Sequence, residues 1–290
     1  MHVPVLTKEL IELLEPKANE NFIDCTVGSG GHTKAILAKT EPRGKVLAID
    51  RDKDSIRRAK EILRRKLNRV TFIQGNFADL SEIVKEEKFQ KVRGIIFDLG
   101  YSSDQLEEGG RGLSFQKTEP LDMRYDTQVQ KTAAKIINYE SRQELERILK
   151  EYGEEKFARQ IAEAIVNKRR DKQITTTTEL VNIIKEAVPG FYRRAKINPA
   201  TKTFQALRIA VNKELESLRA ALPKAIEILE PGGRIGVISF HSLEDRIVKR
   251  FFNETETIEV ITKKPTTPGV GEVGENARSR SAKLRVAEKQ

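Results

Sequence analysis

Three carboxylates and a cluster of glycines carry the chemistry this sequence could do. Phe22-Ile23-Asp24-Cys25-Thr26-Val27-Gly28-Ser29-Gly30-Gly31-His32 is a short apolar run that ends in glycines. Asp50 closes the next apolar run, Lys45-Val46-Leu47-Ala48-Ile49-Asp50, about 20 residues past the glycines, where an acid ending a second strand meets a ribose hydroxyl pair. Gly28, Gly30 and Gly31 let the backbone turn sharply and let a ligand approach where a Cβ would clash. Together these residues point to an adenosine-type cofactor. Asp98 closes a further run, Gly94-Ile95-Ile96-Phe97-Asp98, and Gly100 follows it. Ligands of open α/β sheets bind beyond the carboxyl ends of the strands, so Asp98 is the leading catalytic candidate; the competing reading makes it a cap for the next turn. His241, in Ser239-Phe240-His241-Ser242, also falls beyond a strand end, where it could orient substrate, act as a base, or bond to backbone in a structural role.

The detail of the loop selects the cofactor. A dinucleotide fingerprint places its third glycine at position 33, where Thr33 stands. The pattern Asp-x-Thr-x-Gly-x-Gly-Gly suits S-adenosylmethionine (SAM) better. SAM has no pyrophosphate to cradle, and its amino and carboxylate groups can bond to loop backbone. An NAD(P)-linked oxidoreductase is the rival enzyme reading, and a non-catalytic RNA-binding protein on a degenerate cofactor fold is the rival from another class.

The elements that must position these residues alternate up to Ser103. A capped helix over Thr7 to Leu14 precedes the first strand, and Thr33 to Thr40 is the first crossover helix. Strands follow at Lys45 to Asp50, Arg69 to Gln74 and Gly94 to Asp98, with an amphipathic helix at Asp54 to Leu67. Phe77, just past the third strand, falls where such folds place a residue against adenine; core filling competes with that reading. Between 104 and 203 the alternation stops. Helical patterns at Thr132 to Asn138, Arg142 to Glu151, Glu154 to Lys168 and Thr178 to Ala187 read as an inserted helical subdomain. Residues 1–103 and 204–290 then form one discontinuous domain. A single long helix over Phe204 to Leu229 brings the chain back to it. Strands at Arg234 to Phe240, Thr257 to Thr262 and Ala282 to Val286 complete an α/β, doubly wound, Rossmann-like sheet, with a mobile loop at Pro265 to Asn276.

Composition narrows the partners. Lys and Arg number 53 against 43 Asp and Glu, a net charge of +10, which points to a polyanion or to a heavily solvated surface. Lys168-Arg169-Arg170 and Arg193-Arg194-Ala195-Lys196 are the clusters that could hold a phosphate backbone. Cys25, the only cysteine, excludes an intrachain disulfide and reads as a small buried hydrophobe. No metal-ligand cluster is evident among the three histidines, and no apolar run approaches the length of a membrane span. A cytoplasmic protein with no membrane contact is expected.

Six motifs in order resemble the bacterial ribosomal RNA small subunit methyltransferase H family: Asp24 to His32, Asp98-Leu99-Gly100-x-Ser102-Ser103-x-Gln105-Leu106, Pro120-Leu121-Asp122-Met123-Arg124, Thr203-Phe204-Gln205-Ala206-Leu207-Arg208-Ile209, Ser239-Phe240-His241-Ser242-Leu243-Glu244-Asp245, and Arg278-Ser279-Arg280-Ser281-Ala282-Lys283-Leu284-Arg285. The resemblance implies SAM-dependent methylation of N4 of a cytidine in the decoding centre of 16S ribosomal RNA (rRNA), within the 30S subunit. It also implies a class I methyltransferase fold, a seven-stranded sheet with one antiparallel strand and a helical insertion. No obligate protein partner is implied, and a homodimer is compatible. Carried over by motif, the cofactor residues are Gly30, Gly31, His32, Asp50, Phe77, Asp98 and Gln105. Tyr101 stands where a small aliphatic is usual, and Ala277 where a proline is common. Tyr101, Ser102, Ser103, Phe240 and His241 are the candidates for a pocket around a target base removed from its stack.

Overall fold

The computed structural model describes residues 4–100 and 109–290, with the backbone alone of Arg278. Tyr101, Ser102, Ser103 and Gln105 therefore lie outside the described residues. The chain divides into two units, Met1–Ser102 with Leu215–Gln290, and Ser103–Glu214.

The first unit holds a seven-stranded sheet. Its strands are β1 (Asn21–Asp24), β2 (Val46–Asp50), β3 (Val70–Gln74), β4 (Val92–Asp98), β5 (Leu229–Ser239), β6 (Ile258–Val260) and β7 (Lys283–Lys289), in the order β3-β2-β1-β4-β5-β7-β6. The pairs β3·β2, β2·β1, β1·β4 and β4·β5 are parallel, and β7 runs antiparallel to both its neighbours. The expected class I methyltransferase sheet with one antiparallel strand is what forms. Its strands are short apolar runs because both faces are covered. Ile23, Leu47, Ile49, Ile95, Phe97, Ile235 and Val237 face a layer of α4 (Leu80–Glu86), α11 (Glu214–Ile228) and α12 (Ser242–Glu254). Phe22, Val46, Ala48, Ile96, Ile238 and Leu284, from the alternate positions, face α1 (Thr7–Leu14), α2 (Gly31–Lys39) and α3 (Lys53–Ile62). Phe22 pairs with Gly94 across β1 and β4, and a Cβ on Gly94 would overlap the Phe22 ring.

The second unit is helical: α5 (Ala133–Tyr139), α6 (Arg142–Gly153), α7 (Ala158–Asp171), α8 (Thr177–Ala187), the one-turn α9 (Gly190–Arg193) and α10 (Ala200–Asn212). Side-chain oxygens start three of them. Thr132 accepts from the Lys135 N–H, Ser141 from the Glu144 N–H, and Thr176 forms a capping box with Glu179. Ile136, Leu145, Ile148, Ile161, Leu180 and Phe204 share one core.

The structure corrects several expectations. The helix expected over 204–229 is two helices. Lys213 adopts a left-handed conformation, φ 50°, and ends α10, whose Phe204, Leu207 and Val211 lie in the helical core. The return to the sheet unit thus comes at 214/215 rather than 203/204. α3 stops at Ile62, ahead of a 3-10 turn at Leu67–Arg69, and α4 has no counterpart in the sequence reading. The segment expected to be a mobile loop contains α13 (Val270–Glu275), anchored where Glu272 Oε1 accepts from the Leu6 N–H at 2.7 Å.

Candidate active site

The glycine loop joins β1 to α2, and its shape is set by backbone. Gly28 and Gly30 have φ of 50° and 85°, the left-handed region that L side chains rarely adopt. The Gly28 N–H donates to Asp50 Oδ2 at 2.9 Å, so the acid ending β2 holds the loop. Its other oxygen accepts from the Asp52 N–H, also at 2.9 Å. At Gly31 a Cβ would press into the Pro4 ring, 2.6 Å from its Cγ, so the N-terminal segment packs directly on the helix start. Among the described residues no side chain caps α2, so the N–H groups of its first turn are of the kind that can receive an anion.

Asp50 is only partly accessible to solvent, and burial pushes its carboxyl up to about 6, despite two N–H donors that favour the charged form. A carboxylate offers about four acceptor positions, so with two used it can still receive a ribose hydroxyl pair.

A second group of charges lies under the loop. Asp24 is 1% exposed; its Oδ2 accepts from the Thr33 hydroxyl at 2.6 Å and its Oδ1 from the Thr26 N–H at 3.2 Å. Burial raises the Asp24 pKa against those bonds and against nearby His32. His32 is 5% exposed, and neither of its ring nitrogens has hydrogen-bond geometry with a described group. Its Nε2 stands 3.3 Å from Asp98 Oδ2, an ion-pair distance. Burial opposes protonation of this imidazole, but Asp98, Asp24 and Glu272 outweigh it and the pKa rises. The carboxylates around this ring favour its protonated form.

Asp98 ends β4, beside β1. Its N–H donates to Thr26 Oγ1 at 2.6 Å, which ties the strand end to the glycine loop. Its Oδ1 is buried and has no hydrogen-bond partner among the described residues. Next to it at the end of β5, Ile238 O accepts from the Leu99 N–H, and Phe240 lies where a Cβ on Gly100 would come within 3.5 Å of its ring.

His241 is the N-cap of α12. Its Nδ1 accepts from the Glu244 N–H at 3.3 Å, while Glu244 Oε2 accepts from the N–H groups of Phe240 and His241. One ring nitrogen is thus committed to structure. Nε2 lies 3.2 Å from Glu244 Oε1, so any proton traffic at this residue passes through that atom. Phe77 opens the turn after β3, half-buried, with its ring edge-on to Phe97 at 5.4 Å. Cys25 is buried in the core, and burial pushes its thiol well up, opposite to what a nucleophile needs.

The other motifs hold the architecture. Asp122 and Arg124 form a two-armed ion pair at 2.7 Å, and Arg124 Nη1 also donates to the carbonyls of Thr127 and Val129. Asp245, from the His241 motif, accepts from buried Arg285 at 2.7 Å and from Lys283 at 3.1 Å, so two distant motifs meet. Asp24 and Thr26 stood inside the glycine motif and Thr33 directly after it, but the sequence did not show that Asp24 bonds to both. Glu272 gave no signal.

The groups present fit SAM: an uncapped helix start, the Asp50 and Asp98 carboxylates at two strand ends and the Phe77 ring beyond a third. A glycine loop after β1, in a sheet of this order, is the arrangement of a class I SAM-dependent methyltransferase. A family model described as the MraW methylase family matches residues 1–290, and the chain belongs to that family. Proteins named ribosomal RNA small subunit methyltransferase H are similar to it over 99% of this chain: from Persephonella marina, 48% identical across 99% of the relative, and from Brevibacillus brevis, 44% identical across 98%. The solved structure of a candidate rRNA-methylase from Clostridium thermocellum shares the fold, with a TM-score of 0.50 at 14% identity and full coverage of both chains.

Proposed function

We propose that this chain transfers the methyl group of SAM to the exocyclic N4 of a cytidine in the decoding centre of 16S rRNA. The names of its relatives support the RNA, and one observation carries the chemistry. Asp98 presents a buried, unpartnered carboxylate oxygen at the end of the strand beside the cofactor loop. When bound, SAM supplies a methyl group already activated by its sulfonium.

The residues then have one main task, which is alignment. The cytosine N4 lone pair is delocalised into the ring and nucleophilically poor. Asp98 Oδ1 accepts a hydrogen bond from N4–H, which turns the lone pair out of conjugation and toward the methyl; such alignment is worth several kcal/mol of barrier. The His32 ring, its Nε2 3.3 Å from the other oxygen, holds the Asp98 carboxylate in place. After attack the N4 proton is acidic, and Asp98 is the group positioned to receive it. Asp50 holds the ribose, the first turn of α2 the carboxylate, and Phe77 flanks the adenine. Gln105 joins this set by its motif. Phe240 borders the space for the flipped base and His241 orients it through Nε2; Tyr101, Ser102 and Ser103 join them by their motif alone. The helical unit recognises rRNA, and the substrate is the 30S subunit in the cytoplasm.

The test is tritium transfer from labelled SAM to 30S subunits that lack their decoding-centre N4 methylation, followed by nuclease digestion and mass spectrometry. Label in N4-methylcytidine supports the proposal. SAM binding without label in that nucleoside refutes the substrate while leaving the cofactor.

A further inference from the structure

We infer that the corner of the helical unit around Phe191 is a contact for single-stranded rRNA, with one unstacked base lying on the Phe191 ring and the adjoining phosphates on Arg193, Arg194 and Lys196. The inference rests on the rRNA reading above and names where that substrate touches the second unit. Phe191 sits on α9 and is 69% exposed. The ring is nevertheless held from behind. Phe157 meets it edge-on at 6.2 Å and meets Tyr192 at 4.8 Å, and the Tyr192 hydroxyl is bonded to both Glu155 oxygens at 2.9 and 3.0 Å. A fixed ring with an open outer side is a stacking platform for a base.

The surrounding charge selects the partner. Arg193, Arg194 and Lys196 follow the ring within five residues, all exposed, and no Asp or Glu occurs from Val188 to Pro199. Among the described residues their side chains form no ion pair, unlike Arg147 or Arg208 in the same unit, which are bound by glutamates. The other basic cluster is different. Arg169 donates to the carbonyls of Ile137 and Glu140 at 2.6 and 2.7 Å, closing the end of α5. An aromatic ring among uncommitted guanidinium and ammonium groups matches a single strand, whose bases stack and whose phosphates pair.

The test uses the full-length protein. F191A should raise KM for undermethylated 30S subunits about tenfold, with kcat and SAM affinity unchanged and F191W restoring KM. R193A/R194A should reduce the slope of log affinity against log salt by about 1.4, two single-strand phosphate contacts. A wild-type KM in F191A overturns the inference. So does loss of a dimer on sedimentation in F191A with RNA affinity intact, which would give the ring to a second copy of the chain. If the wild-type enzyme fails to methylate 30S subunits, the substrate reading falls. The surface is then judged by fluorescence anisotropy with a labelled single-stranded oligoribonucleotide: weaker binding by F191A supports it, and equal binding overturns it.

Discussion

With the SAM ribose on Asp50, as proposed, SAM binding should depend on pH in a definite direction. The Asp50 carboxyl, pushed up to about 6 by burial, must be ionised to receive two ribose hydroxyls. At pH 7 it is mostly ionised; one unit below its pKa only about a tenth is, so affinity for SAM should fall roughly tenfold between pH 7 and pH 5. Stability of the free protein moves the other way. The folded pKa lies above the unfolded value near 3.9, so this group's contribution is fully present below that value and is lost as pH rises through about 6. A shift of about two units corresponds to ~3 kcal/mol across that window. His32 does not confuse the reading: its pKa is raised above 6.5, so it stays protonated below pH 6. D50N removes the titration. Its one amide oxygen can serve either the Gly28 or the Asp52 N–H, and its NH2 group opposes the other, stranding a donor at about 1–3 kcal/mol. With the charged acceptor for the ribose also gone, SAM affinity at pH 7 should drop by about 2–3 kcal/mol, ~30- to 150-fold. Isothermal titration of SAM into wild type and D50N at steps from pH 7 to 5, with melting curves of the free proteins, measures both effects. A wild-type affinity that is flat across this range, or an equal pH dependence in D50N, would refute the role given to this carboxylate.

D98N keeps shape and removes charge; kcat for methyl transfer should fall at least ~100-fold while SAM binding by calorimetry is retained, and a wild-type rate removes Asp98 from the mechanism. His32 adds stability below pH 6.5, present while the imidazolium faces Asp98 and Asp24 and lost as pH rises through its elevated pKa. Melting of wild type should therefore decline above pH 6.5 in a way that H32N does not, and parallel curves would count against the buried cation. G94A drives a methyl into the Phe22 ring at the centre of the sheet and should cost about 1–3 kcal/mol in urea unfolding; an unchanged midpoint would show that β1 and β4 can part without penalty.

The parts of this protein legible from sequence are those where a local pattern and its purpose coincide. The apolar runs into Asp24, Asp50 and Asp98 are strands because both sheet faces are covered, and the glycines between them can serve little else. Where pattern and structure part, a distant contact decides. Leu207, Val211, Leu215, Leu218 and Leu222 keep a helical period straight through Lys213, so nothing local marks the break. The break is held by Asn212, which accepts from the Tyr125 N–H and donates to the Met123 carbonyl, and by Arg208 gripping Glu214. α4 buries only Leu80 and Ile83, too few to announce an amphipathic face.

The active site divides in the same way, and the division bears on how it works. Asp24, His32 and Asp98 come from motifs that flank two adjacent strands, and Glu272 comes from a segment 174 positions further along the chain than Asp98. Three carboxylates gathered around one buried imidazole would repel one another strongly if all were charged and the imidazole were neutral. The imidazolium removes that cost, and in doing so couples the Asp98 carboxylate to the glycine loop through Asp24 and Thr33, and to the N-terminal segment through Glu272 and the Leu6 N–H. The Asp98 carboxylate, the glycine loop and the N-terminal segment are thus parts of one charge balance.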